Sequence, residues 1–181
     1  MNTKTRLAAF LVLFAAGAWA TTPAQRTIEG WPQPNKQAAQ AMIDKYGQPD
    51  STIGDKLEWY HRGQFKRIAV NGRAAPNLMV ENTVDYDAPQ GSGLVNLDAV
   101  VTPNDDEAEL TSCGKSENAN RAALNLADGV LHGRITADKA REEWTRNSKL
   151  EKAGKTTPMS ERLQFRPGVD PLKDYVRKAP Y

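Results

Sequence analysis

Residues 116 to 133, SENANRAALNLADGVLHG, decide how this chain is read. Ala119, Ala123, Leu124, Ala127, Val130 and Leu131 recur at helical spacing on one broad stripe, while Asn118, Arg121, Asn125 and Asp128 fall away from it. Ser116 can cap the start, Glu117 suits the positive first turn, and Gly133 stands where a left-handed residue closes a helix. A stripe of small side chains lets such a helix lie close on a sheet, so its partner sheet belongs to the residues upstream.

Upstream, residues 56 to 70, KLEWYHRGQFKRIAV, read as a β-hairpin. Leu57 and Trp59 alternate with Glu58 and Tyr60, Arg62-Gly63 marks the turn, and Ile68 and Val70 continue beyond it. Leu78, Val80, Asn82, Val84 and Tyr86 form a third alternating run. A fourth strand is expected at about Leu97 to Thr102 and a fifth at about Glu107 to Cys113, joined through Pro103-Asn104-Asp105-Asp106. With no helix between them, five closely spaced strands predict an antiparallel meander, because parallel pairing needs a long crossover. One face of such a sheet can stay wet; the 117–132 helix covers the other.

Two shorter helices flank this unit. Asn35 is expected to cap a helix over 36–46, with Ala38, Met42, Ile43 and Tyr46 on one face and Gly47 and Pro49 closing it. Thr136 caps another over 136–146, with Ile135 stapling onto Ala140 and Trp144 completing the inward face. The expected fold is therefore α+β: an antiparallel sheet of about five strands packed on the 117–132 helix, with helices 36–46 and 136–146 alongside.

The ends read differently. Lys4 and Arg6 precede an apolar run from Leu7 to Ala18 and the triplet Ala18-Trp19-Ala20, the order of a secretory signal peptide cleaved after Ala20. The run is short for a bilayer span, and no integral membrane segment is expected after cleavage. Residues 21–34, with Pro23, Gly30, Pro32 and Pro34, read as an irregular leader, and residues 35–146 as the α+β domain. Residues 147–181 read as a polar tether and C-terminal tail, in which Asp170-Pro171 can start a short helix. The chain carries 24 Lys+Arg against 22 Asp+Glu, and loss of Lys4 and Arg6 with the signal leaves 22 against 22. That balance argues against a nucleic-acid or acidic-membrane partner.

Few residues announce chemistry. Cys113 is the single cysteine, so no intrachain disulfide is possible. It reads either as a small buried apolar side chain or, lying just before a helix N-terminus, as a reactive or intermolecularly bonded thiol, which would allow a Cys113-linked dimer. His61 and His132 belong to no metal-binding pattern. Asp105, Asp106 and Glu107 offer oxygens for a hard cation but lack the alternating spacing of a calcium loop, and tight turns use the same residues. No GxSxG, P-loop or GxGxxG is present, and no cofactor is expected. Tyr60, Arg62, Phe65 and Arg67 on the first hairpin, if outward, make an aromatic and basic patch of the kind that binds protein; if Trp59 and Phe65 are core anchors, the basic residues are a wet face.

Lys45-Tyr46-Gly47-Gln48-Pro49, Trp59, Cys113 and Ala123-Leu124-Asn125-Leu126-Ala127 resemble the pattern of a group of uncharacterised exported bacterial proteins, with a KYGxP turn before a Trp strand and a Cys before an ALNLA-type helix. The resemblance implies export and a common fold, and brings no assigned activity. A looser likeness is to the small lipoprotein subunit of the outer-membrane barrel assembly machinery and to β-lactamase-inhibitor-like domains. Here Gly47-Gln48-Pro49 is followed by Trp59-Tyr60-His61 rather than Trp-x-Tyr, and the lipid-bearing Cys is missing. The first functional expectation is thus a non-catalytic periplasmic protein binding another envelope protein. The alternatives are a small hydrolase or thiol-dependent enzyme centred on Cys113, and a small-ligand or ion carrier.

Overall fold

The alternation of apolar and polar residues in the first hairpin carries through an antiparallel sheet in the computed structural model, which describes residues 22–89, 93–97, 99–104 and 106–168. The strands are β1 (Ser51–Ile53), β2 (Lys56–Arg62), β3 (Phe65–Asn71), β4 (Val80–Asp85), β5 (Val95–Asn96), β6 (Val100–Asn104) and β7 (Glu109–Gly114). Register pairs Trp59 with Ile68, Val70 with Val80 and Val84 with Leu110, so one face is dry and these six side chains on it are buried.

The expected meander of about five strands is corrected to seven, in the order β1-β2-β3-β4-β7-β6-β5. β4 and β7 pair from Val80↔Gly114 to Asp85↔Glu109, while the short β5–β6 hairpin is pushed outside β7. Both missed strands are edges of two or three residues, too short to display a period.

The wet face is laced with charge. Arg67 bridges Glu58 at 3.3 Å and Glu81 at 2.6 Å, Lys56 lies 3.5 Å from Glu58 and 3.6 Å from Glu81, and Lys66 pairs with Glu109 at 2.6 Å. Burial pushes the Glu58 carboxyl up, but the Tyr60 hydroxyl and the Lys56 and Arg67 charges outweigh it and hold the group below the usual carboxylate range.

Helix α3 (Glu117–Leu131) crosses the dry face, capped by Ser116, whose Oγ accepts from the Ala119 N–H at 3.2 Å. Asn120 locks it to the sheet: its Nδ2 donates to the Val80 carbonyl at 2.9 Å and to Asn82 Oδ1 at 2.7 Å, and its Oδ1 accepts from Ser112 Oγ at 3.0 Å. Gly114 lies beneath, where a Cβ would stand 2.5 Å from Asn120 Oδ1.

Two expectations about the N-terminal part are corrected. The segment read as an irregular leader contains α1 (Pro23–Glu29), capped by Thr22 in a reciprocal box with Gln25. Ala24, Ile28 and Trp31 are buried, and Trp31 lies against Gly72 so closely that a Cβ there would overlap the indole. Helix α2 (Gln33–Tyr46) starts ahead of Asn35, because Pro34 is well suited to a first helical turn. Asn35 is no cap: it is buried, and its Nδ2 donates to the carbonyls of Asn71 at 2.8 Å and Ala74 at 3.0 Å.

The C-terminal part differs too. Helix α4 runs from Ala137 to Lys152, through much of the stretch read as a tether, and a turn leads to α5 (Pro158–Glu161) under a Thr157 cap. Only Ala140, Trp144 and Asn147 of α4 are buried; the rest is mostly polar, with Lys139–Glu142, Arg141–Asp138 and Arg146–Glu143 paired within the helix and Glu151 paired with Lys115 at 3.0 Å, which is why its sequence reads as polar. Helices α4 and α5 pack on the back of α3, which is therefore enclosed on both sides. Among the described residues no helix is long and apolar enough to cross a membrane. The expected signal peptide over 1–20, the helix expected from Asp170-Pro171 and the candidate ligand Asp105 lie outside the described residues.

Candidate functional site

Enclosure of α3 changes what its polar residues do. Arg121, Asn125 and Asp128, which fall away from the apolar stripe, are buried at 8%, 9% and 6% exposure because α4, α5 and the segment after α5 cover that side. Each must then find partners inside the protein. Arg121 pairs with Glu117 and sits 5.2 Å above the Phe65 ring, while Glu117 accepts from Lys45 Nζ at 2.7 Å and from the Tyr46 hydroxyl at 2.9 Å.

Asn125 builds the floor of a cleft. Its Nδ2 donates to the carbonyls of Met159 and Arg162, both at 2.9 Å, and its Oδ1 accepts from the Gln164 N–H at 2.7 Å. The arm over 162–168 thereby lies along α3, with Leu163 buried. It is pinned further by the Leu163 N–H on Gln64 Oε1 at 3.0 Å and by the Gly168 N–H on the Asp85 carbonyl at 2.7 Å.

Between this arm, the C-terminal half of α3 and the start of α4 opens a cleft of about 740 Å³. Leu126, Ile135, Met159 and Phe165 form its apolar side. Its polar corner is a cluster around Asp128, which accepts from the Tyr86 hydroxyl at 3.0 Å and pairs with Arg134. His132 Nδ1 stands 3.1 Å from the Asp128 carboxylate and 3.1 Å from the Tyr86 oxygen. Burial, then the Asp128 charge and hydrogen bond, push the Tyr86 phenol far above its usual value, so it stays a neutral donor. Phe165 meets Tyr86 edge-on at 5.4 Å between ring centres.

The lining holds Asp87, Asp128, His132, Lys139 and Glu143, groups able to accept or donate protons, and among the described residues no Ser, Thr or Cys. A packed apolar side with a few fixed polar groups, in a volume of this size, is the ordinary form of a small-ligand site.

The residues singled out from sequence lie elsewhere. Tyr60 is 37% exposed and its hydroxyl donates to Glu58 at 2.6 Å. Arg62 is bound to Asp50 at 2.7 Å and to the Tyr60 carbonyl at 2.6 Å, and Arg67 is taken up by Glu58 and Glu81. Phe65 corrects the expectation of an outward patch: it is 2% exposed, on the dry side under Arg121, and the strand alternation breaks at this hairpin end, beside His61 with its left-handed φ of 53°.

Cys113 is half-buried on the wet face of β7, and its Sγ donates to the Leu78 carbonyl at 3.1 Å. Burial, then the neighbouring Glu81 charge, push the thiol pKa up, against the requirement for a thiolate nucleophile. Neither histidine reaches it: His61 sits near the end of β2 and His132 is bound to Asp128 and Tyr86 on the other side of the sheet. An interchain disulfide there would need Cα atoms within about 7 Å, closer than the roughly 10 Å at which sheets stack. Asp106 and Glu107 lie in the β6–β7 turn, where Glu107 accepts from Asn104 Nδ2 at 3.1 Å; among the described residues no three acidic, His or Cys side chains gather as a metal site.

Sequence reasoning missed the cleft residues Tyr86, Asn125, Asp128, Arg134, Met159 and Phe165. The available signals were the i, i+4 spacing of Asp128 and His132 and the apolar Met159, Leu163 and Phe165 inside a polar stretch. No protein-family model, no curated protein and no solved structure matches the chain.

Proposed function

We propose that this chain is an exported, non-catalytic binding protein of the bacterial cell envelope, and that it takes a small ligand in the cleft beside α3. The observation that carries the reading is the three-bond clamp of Asn125 on the 159–164 segment, which holds one wall open against α3 before any ligand arrives. Export rests on the order of Lys4, Arg6, the Leu7–Ala18 run and Ala18-Trp19-Ala20. Amide shift mapping with a mixed set of small aliphatic and aromatic fragments tests the site. Perturbations gathered at Leu126, Gly129, Ile135 and Phe165 support it; scattered ones, or a cluster on the β2–β3 hairpin, overturn it.

A second reading, docking of another envelope protein, is favoured by the sheet edge rather than by the hairpin patch. Ile53 on edge strand β1 is 65% exposed, and among the described residues no strand lies beside that edge, to which a partner strand can add. Replacement of Ile53 by Lys is expected to abolish such a complex while leaving fragment binding in the cleft unchanged.

A further inference from the structure

Resting on the cleft as a ligand site, we infer that its ligand is an organic anion: an unbranched aliphatic carboxylate of medium length. Charge at the mouth is the first ground. Arg134 and Lys139 are 55% and 54% exposed at their side chains but already paired, Arg134 with Asp128 and Lys139 with Glu142 at 2.9 Å and Glu143 at 3.7 Å, and Asp87 also lines the cleft, so the cation left for a ligand is on the arm. Asp128 is already engaged by Arg134 and Tyr86, and Glu143 by Arg146 from outside the cleft. Arg166 is exposed on the arm and has no ion-pair partner among the described residues. A guanidinium with free N–H groups beside an apolar wall is complementary to a carboxylate at the end of a hydrocarbon body.

The apolar side selects the body. The Tyr86 ring is only 5% exposed and meets Phe165 edge-on, so Tyr86 offers no free stacking slot. Ile135 and Met159, both half-buried in the lining, present aliphatic surface, and Met adapts readily to a flexible chain. A cleft of about 740 Å³ has room for such a chain without the walls moving apart.

The test titrates the full-length protein with decanoate, decanol and decyltrimethylammonium, followed by amide shifts and calorimetry. Decanoate is expected to bind about tenfold or more tightly than decanol, the margin of a charge-assisted hydrogen bond. In Arg166→Gln that margin is expected to disappear while decanol binding is retained, and the unchanged amide spectrum elsewhere reports an intact fold. Ile135→Asp is expected to weaken both ligands. Equal binding of decanoate and decanol in the cleft, or preference for the ammonium, overturns the anion inference and leaves the cleft as a binding site. If none of the three perturbs the cleft and the fragment set perturbs it, the aliphatic carboxylate is wrong; if the fragments also fail, the cleft reading falls with it.

Discussion

Asn125 on α3 donates its amide to the Met159 carbonyl at 2.9 Å, and this single side chain ties the last described segment to the central helix. The same amide group also serves Arg162 and Gln164, so three backbone groups depend on one buried residue. Replacement of Asn125 by Ala is expected to cost about 1–3 kcal/mol and to free the arm. Hydrogen exchange at Gln164 and limited proteolysis near Arg162 check this; unchanged protection would show that Leu163 packing alone holds the arm.

Trp31 and Gly72 give a second prediction. The indole covers Gly72 with no space for a Cβ, so Gly72→Ala must displace either Trp31 or the turn after β3. A loss of about 1–3 kcal/mol is expected in chemical denaturation, with a change in tryptophan emission. Loss of stability without an emission change would place the strain in the backbone rather than at the indole.

The pH dependence follows from Glu58. Its carboxyl is held below its ordinary value of 4.5 by Tyr60, Lys56 and Arg67 against the opposing effect of burial. A depressed acid stabilises the fold fully above the unfolded value, and that contribution is lost as pH falls from about 4.5 through the folded value. Denaturation midpoints measured from pH 7 down to 3 are expected to fall less steeply in Glu58→Gln than in the parent. An equally steep fall would assign the acid sensitivity to other carboxylates.

Cys113 is expected to react slowly with Ellman's reagent in the folded protein and readily once unfolded, because burial and Glu81 disfavour the thiolate. On a non-reducing gel the protein is expected to run as a monomer. Rapid folded-state labelling would contradict the placement of Sγ against the Leu78 carbonyl.

How far the site was legible depended on where its residues find their partners. Phe65 and Arg67 stand two apart in one strand, yet Phe65 lies in the core and Arg67 on the wet face, because the alternation breaks between them beside the left-handed His61. Alternation cannot register a residue that leaves the extended conformation. Asp128 and His132 stand one helical turn apart, and that spacing is visible in the sequence; that Tyr86 closes the cluster is decided by a contact 42 residues away.

What the sequence by itself determined was the character of single elements: the apolar alternation of β2 and β3, the small-residue stripe of α3, and the Ser116 cap. These follow from periodicities and end signals that act within a few residues. Only the tertiary structure decided that β7 lies between β4 and β6, that Asn125 and Asp128 are internal, and that the polar C-terminal stretch forms a wall of the cleft. A residue's local pattern sets which face it occupies, but whether that face meets water or another layer depends on elements far along the chain, and here α4 and α5 supplied the second layer.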